Sequence, residues 1–187
     1  MKRILFFLFC CLFSVSALAD MQFDLGFAYS GDTLHKTTDN SNTSTFYNTD
    51  VLFNLDSRKA WNVGWTVYGI SQTSVQGSTT TTYSSMDMGP AVRWNIDRSG
   101  MFSMTLAYGY LAKGTYGATG ATDEKWEGTS YLAQFAAQIP LGEKFYMGVS
   151  LNYYGANYSQ KTVSNVESNN DATKTWIFPM FSMTWKP

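Results

Sequence analysis

Three carboxylates and one guanidinium stand out because of where they fall. Asp24, Asp50, Asp87 and Arg93 lie in the alternating segments Met21–Ser30, Phe46–Leu55 and Tyr83–Ile96, each among small or polar residues at every second position. Side chains of a strand alternate with period two, so these charges share one face and the apolar residues the other. Brought into one dry interior, three acids and one base would form a network, because unpaired buried charge is costly. Two roles fit such a network: a gated, cation-favouring path, or a salt-bridged plug that is purely structural.

Other chemistry is weaker. His35 is the only histidine, with Ser30, Asp32 and Asp39 nearby in the chain. A general base must reach its nucleophile at hydrogen-bond distance, and Ser and Asp recur throughout the polar stretches, so no catalytic residue is expected. Asp123, Glu124 and Glu127 offer hard oxygen ligands of the kind Ca²⁺ or Mg²⁺ takes, but three acids in a loop are more often simply solvated. No metal is expected, no phosphate- or dinucleotide-binding motif is present, and no cofactor is implied. Basic residues are scattered rather than gathered into a patch, which argues against nucleic acid.

The elements that would position the charges can be read in order. The N-terminus has the form of a secretory leader: Lys2 and Arg3, an apolar run over Ile4–Val15, and the small-x-small site Ala17-Leu18-Ala19. The run is short of the ~20 residues a spanning helix needs. Residues 1–19 are therefore expected to be cleaved, and Cys10 and Cys11 read as plain hydrophobes within them. Residues 20–187 hold no cysteine, so an exported domain would be stable without disulfides. They also hold no apolar run of helical membrane length; only a closed β-barrel could place them in a bilayer.

Eight alternating segments occupy this region. They are Met21–Ser30, Phe46–Leu55, Trp61–Ser71, Tyr83–Ile96, Phe102–Ala112, Thr129–Ile139, Phe145–Tyr158 and Thr175–Trp185. In the last, Thr175, Ile177, Pro179, Phe181, Met183 and Trp185 share one face, while Ser182 and Thr184 lie on the other. The connections alternate long and short. Gly31–Thr45, Gln72–Thr81, Lys113–Gly128 and Ser159–Ala172 read as long polar loops; Asp56–Lys59, Asp97–Gly100 and Pro140–Lys144 read as tight turns. An up-and-down barrel with both termini on one side has this rhythm.

The faces decide the class. Between the strand ends the greasy face carries no charged residue, and the charges fall on the other. A soluble lipocalin-type barrel would invert this. A lipid-facing Lys or Arg near the midplane costs ~2–4 kcal/mol, which is reason enough for charge to be excluded there. Phe23, Phe53, Trp61, Trp94, Phe102, Phe145 and Trp185 sit beside the short turns or termini. Tyr29, Tyr47, Tyr110, Tyr131 and Tyr153 sit beside the long loops. Such rings favour membrane–water interfaces, and barrels carry girdles at both.

Some features complicate the pattern. Pro90 and Pro179 fall within central strands, where a missing N–H should produce a bulge or a lost ladder bond. Trp176, Phe178 and Met180 make the upper half of the last strand greasy on both faces, as a lumen plug or a loop contact. Gly26, Gly64, Gly89, Gly109 and Gly148 would save space in a narrow, side-chain-filled interior. In the polar loops, Tyr116, Trp126 and Tyr158 are candidate contact points for adhesion.

Eight alternating strands, short turns, long polar loops and an aromatic near the C-terminus together resemble the small bacterial outer-membrane β-barrels, the size class of OmpX and the OmpA transmembrane domain. The resemblance covers Met21–Trp185 and is one of pattern. Members usually end in an aromatic residue that the insertion machinery reads; here Ile177, Phe181, Met183 and Trp185 fit that alternation, with Lys186 and Pro187 after them. The resemblance implies membrane lipids and lipopolysaccharide as surroundings, and periplasmic chaperones and the barrel-assembly machinery as transient partners. Barrel acyltransferases, lipid A deacylases, phospholipases and omptin-type proteases all rely on a paired histidine, so an enzyme is not expected. The expectation is a leader over 1–19 and, over 20–187, an all-β, closed antiparallel up-and-down transmembrane β-barrel of eight strands. It would be monomeric, with four long extracellular loops and three short periplasmic turns. Its role would be structural or surface-interacting; the alternative is a small porin-like channel.

Overall fold

A computed structural model describes residues 21–35, 39–56 and 58–187, with residues 34, 35 and 39 described by their backbone alone. The leader expected over 1–19 lies outside the described residues, as does the side chain of His35.

Eight antiparallel strands close on themselves in sequence order. They are β1 (Met21–His35), β2 (Asp39–Asn54), β3 (Trp61–Gln76), β4 (Thr79–Asn95), β5 (Phe102–Ala118), β6 (Glu124–Pro140), β7 (Phe145–Val163) and β8 (Val166–Trp185). The ring is completed where Phe23–Phe27 of β1 pairs with Phe181–Trp185 of β8. At the ends nearest the short turns the observed strand limits agree with the alternation. The turns are built by carboxylates. Asp56 accepts from the backbone N–H of Ala60 (2.9 Å) and Trp61 (3.0 Å). Asp97 accepts from the N–H of Ser99 (3.0 Å), Met101 (3.2 Å) and Phe102 (2.6 Å), and from the Ser99 hydroxyl. Slight burial opposes the charge on Asp97, but these bonds outweigh it and hold its pKa below the ordinary carboxylate value.

The far ends differ from expectation. The stretches read as four long loops are mostly paired strand. β3 and β4 meet at a two-residue turn opening on Gly77 (φ 61°), and β7 and β8 meet at Ser164-Asn165 (φ 49° and 65°). Positive φ at both central residues, as at Ser164-Asn165, is the geometry of a type I′ hairpin turn, and glycine with positive φ at the first alone, as at Gly77, that of type II′; the twist of both matches that of the strands. Polar composition was a poor guide because these strands need no greasy face once they rise beyond the apolar belt. Their many threonines are β-branched and suit an extended chain. A strand of 17 residues, as in β4, β5 and β6, runs ~55 Å. That is well beyond what a tilted strand needs to cross a ~25 Å apolar band.

The faces are as read. The outward residues of the lower and middle barrel are uncharged and, Thr49 apart, apolar, and the expected girdle residues fall on the outward face in two rings. Trp61 stacks on Trp94 at 6.0 Å in the lower ring, and Tyr131 lies 5.8 Å from Tyr153 in the upper. Tyr47 and Tyr131 fold their rings over Gly69 and Gly155, their ladder partners on the next strand; a side chain on either glycine would collide with the ring. Both prolines leave their mark. The β4–β5 register shifts between Met88 and Ala91, around Pro90, where β5 carries the extra residue and exposes both Tyr110 and Leu111. The β1–β8 ladder ends just before Pro179.

Removing the Asp97 carboxylate strips several hydrogen bonds from one turn. Asp97→Ala should cost about 1 kcal/mol in urea unfolding. Because the folded pKa is depressed, the carboxylate's contribution is present above its unfolded pKa and fades as pH falls through the folded value. The gap between wild type and variant should therefore narrow under acid and stay constant from pH 6 to 8.

Candidate functional site: the lumen

The lumen is filled in two layers of different chemistry. The lower layer centres on Arg93, which is 2% exposed. Asp24 and Asp50 are direct ladder partners on β1 and β2. Like charges directly opposite are destabilising, and the Arg93 guanidinium reaches across from β4 to separate them. Its Nη1 donates to Asp24 Oδ2 (2.5 Å) and its Nη2 to Asp50 Oδ2 (3.1 Å), while Nε donates to Thr105 Oγ1 on β5 (2.8 Å). The remaining carboxylate oxygens are also bound. Thr184 on β8 and the Gln22 amide (3.1 Å to Oδ2) donate to Asp24. Thr66 on β3 (2.5 Å) and the Asn48 amide (3.3 Å) donate to Asp50 Oδ1. Gln138 on β6 extends the network, donating to Thr184 (2.8 Å) and Ser182 (3.2 Å). Beside it, Gln134 on β6 donates to Asn152 on β7 (3.0 Å) and to Ser150 (3.3 Å) in a separate polar group.

Asp87 does not join this group. It is fully buried in the layer above, where the Tyr154 hydroxyl donates to its Oδ2 at 2.7 Å. Around it runs a chain of phenols. Tyr83 and Tyr158 share a hydrogen bond of 2.5 Å, Tyr154 lies 3.4 Å from Tyr158, and Tyr68 bonds Ser130 at 2.9 Å. The Tyr68–Ser130 bond passes over Gly109, where a Cβ would strike both oxygens. Aromatic rings complete the layer. Phe178 stacks on Phe46 at 3.8 Å, and Trp176 packs against Tyr83 (5.5 Å) and Tyr154 (5.8 Å). Trp176, Phe178 and Met180 thus fill the lumen rather than touching a loop.

The aromatic residues expected as adhesion contacts are part of the same filling. Trp126 and Tyr158 are buried, and Tyr116 stacks on Trp126 at 5.2 Å. Their segments are strand, and alternation turns these rings inward. The acids considered for a cation are otherwise engaged. Glu124 binds Lys161 (3.5 Å) and the Trp126 indole N–H (2.8 Å), Glu127 lies 4.0 Å from Lys113, and Asp123 is exposed. Among the described residues no group of three or more His, Cys, Asp or Glu side chains is placed to hold a metal.

Sequence reading missed the hydroxyls and amides that satisfy the charges. Their signal was positional: Thr66, Thr105 and Thr184 are the ladder partners of Asp50, Arg93 and Asp24. The lower mouth holds a vestibule of about 310 Å³ lined by Lys59, Arg98, Lys144 and Lys186 among others. Burial lowers the Lys186 pKa to about 8, and its ammonium sits 4.1 Å from the Tyr146 ring centre.

Arg93→Met would leave Asp24 and Asp50 side by side and uncompensated. The expected loss is about 3–5 kcal/mol, as for a broken buried pair. Adding Asp50→Asn should recover part of that loss, and Asp87→Asn should recover none. Urea midpoints of wild type and the three variants, read by heat-modifiable gel migration, check this.

No family model matches the chain, and no curated protein matches it either. Among solved structures it is similar to the translocator domain of autotransporter NalP from Neisseria meningitidis, at 12% identity and a TM-score of 0.45. The match covers 88% of this chain and 61% of that one, so the chain spans less than two thirds of that structure's length.

Proposed function

We propose that this chain spans a bacterial outer membrane as a non-enzymatic barrel with a blocked lumen, and that its work is done by the hairpins rising beyond the apolar belt. That is a structural or surface-interaction role of adhesion type. The observation that carries the reading is the contrast between the two faces. An uncharged apolar belt between two aromatic rings faces out, while Arg93, Asp24 and Asp50 lie buried and bonded within. Only a bilayer makes such a surface favourable, because exposed apolar area of this extent in water would drive association. Lipids and lipopolysaccharide would surround the belt. Periplasmic chaperones and the barrel-assembly machinery would deliver the chain, and it would stand as a monomer.

The blocked lumen supports the non-conducting reading. A solute would have to break the guanidinium's ties to two carboxylates and then displace the stacked rings above. In planar bilayers the folded chain should be electrically silent. Steady cation-selective openings would overturn this, favour the small channel, and make Asp24, Asp50 and Asp87 its path.

The face assignment has its own test. Val51→Arg or Leu151→Arg should destabilise the barrel in bilayers by ~2–4 kcal/mol or block insertion. Ser150 points into the packed lumen, so Ser150→Arg should fail through overpacking, in detergent as well as in lipid. Wild-type stability of Val51→Arg in vesicles would mean that the belt does not face lipid.

A further inference from the structure

Above the aromatic layer the lumen ends in a small polar cup. β3 and β4 run on beyond the upper aromatic ring to their turn at Gly77, and β5 runs on to Ala118. Gln72, Tyr83 and Tyr116 are successive ladder partners across these three strands, as Ser74 and Thr81 are across the first two. Ladder partners share a face, and buried Tyr83 shows that this face is the inner one. Lys174 reaches in from β8, which stands opposite β4 in the ring. These residues line a cavity of about 240 Å³. That is below the ~300–1,000 Å³ of sites for drug-sized ligands, so its occupant is small.

The walls of the cup carry unused bonding capacity. Lys174 is half-buried, with its ammonium 4.8 Å from the Tyr83 ring centre and 5.4 Å from that of Trp176. Among the described residues no carboxylate pairs with it; the inward Glu124 is committed to Lys161 (3.5 Å) and the Trp126 indole (2.8 Å). Ring faces attract the ammonium, but a cation drawn partly out of water still favours an anion. Gln72 donates its amide N–H to Asn42 Oδ1 (3.1 Å), which leaves its carbonyl oxygen to accept. The Thr81 hydroxyl makes one long bond, to the Ser74 carbonyl (3.4 Å). Among the described residues the Ser74 hydroxyl bonds nothing. Tyr116 is held flat against Trp126 (5.2 Å) and is only partly buried.

We propose that this cup binds one acidic sugar residue, in chemical class a pyranose carrying a single carboxylate. The carboxylate pairs with Lys174, the ring hydroxyls bond Gln72, Ser74 and Thr81, and a C–H face of the sugar lies on Tyr116. The proposal rests on the surface-interaction reading and names the class of partner that the hairpin end takes. One unpaired cation calls for one negative charge. Hydroxyls that donate and accept, beside an amide oxygen that accepts, match a ligand rich in hydroxyls. The electron-rich face of a phenol ring suits C–H edges. A bare anion would use the ammonium alone, and an apolar ligand would leave every polar group of the walls unbonded.

The test uses the chain folded in detergent micelles, with folding verified by heat-modifiable migration. Tryptophan fluorescence, to which Trp126 and Trp176 beside the cup contribute, is followed as sodium glucuronate is added. The change should saturate in wild type. Glucose lacks the carboxylate and acetate lacks the hydroxyls; each should need about tenfold more for half-saturation, a difference of about 1.4 kcal/mol. Lys174→Gln should bind glucuronate as weakly as wild type binds glucose, and Ser74→Ala should weaken glucuronate while leaving acetate unchanged. If Lys174→Gln does not fold, the three ligands on wild type still decide. A change that never saturates, or glucose or acetate binding as tightly as glucuronate, overturns the proposal. So does a folded Lys174→Gln that binds glucuronate like wild type. The underlying reading is tested apart, by labelling Ser78→Cys in the β3–β4 turn with a membrane-impermeant maleimide on intact cells. A folded chain that is not labelled overturns the surface reading and the proposal with it; a labelled chain that does not bind overturns the cup alone.

Discussion

Arg93 is the interaction on which the interior depends. Two aspartates stand directly opposite each other at the point where β1 and β2 pair. Without a cation between them that pairing is repulsive, and with one it becomes a densely bonded site. The guanidinium suits the task because its planar fork offers five donors and never loses its charge; an ammonium would engage the same carboxylates only as a point charge. Through the two carboxylates and the hydroxyls and amides that serve them, the network reaches β1, β2, β3, β4, β5, β6 and β8. Asp24 and Thr184 are also ladder partners across the closing seam, so the ring is sealed at the height where the network lies.

Above that level the solution changes. Rings replace ions, and Asp87 is held by a phenol rather than by a cation. Stacked and edge-on aromatics fill a narrow barrel with little loss of side-chain freedom, and the tyrosines among them bring hydroxyls that bond one another. The two layers share one consequence: the interior is occupied by its own side chains. The seam opens only beside the aromatic layer, where no charge network spans β1 and β8. The weakest part of the ring is therefore next to the greasiest part of the lumen.

The polar stretches between the belt-height segments were the hardest to read. A strand is recognised by the contrast between its faces, and beyond the belt both faces meet water, so the contrast disappears. What remained were turn signals, Gly77 and Ser164-Asn165, embedded in Ser- and Thr-rich sequence that also suits a flexible loop. The same ambiguity misplaced Tyr116, Trp126 and Tyr158. In a loop they would be surface contacts; in a strand, alternation turns them into the lumen.

Sequence alone determined the class: eight alternating segments, uncharged on one face, with charges on the other and aromatics at both ends. These are local properties, because a period of two needs only neighbouring residues to be visible. It also identified Arg93 as the lone cation among inward acids and marked Pro90 and Pro179 as places where the ladder would change. Only the tertiary structure decided which acids Arg93 would meet. That choice depends on the stagger of strands around the ring, which brought Asp24 and Asp50 to one height and lifted Asp87 to another. The open stretch of the β1–β8 seam is likewise a product of closure. It belongs to two strands at opposite ends of the chain, and no local pattern in either could show where their pairing stops.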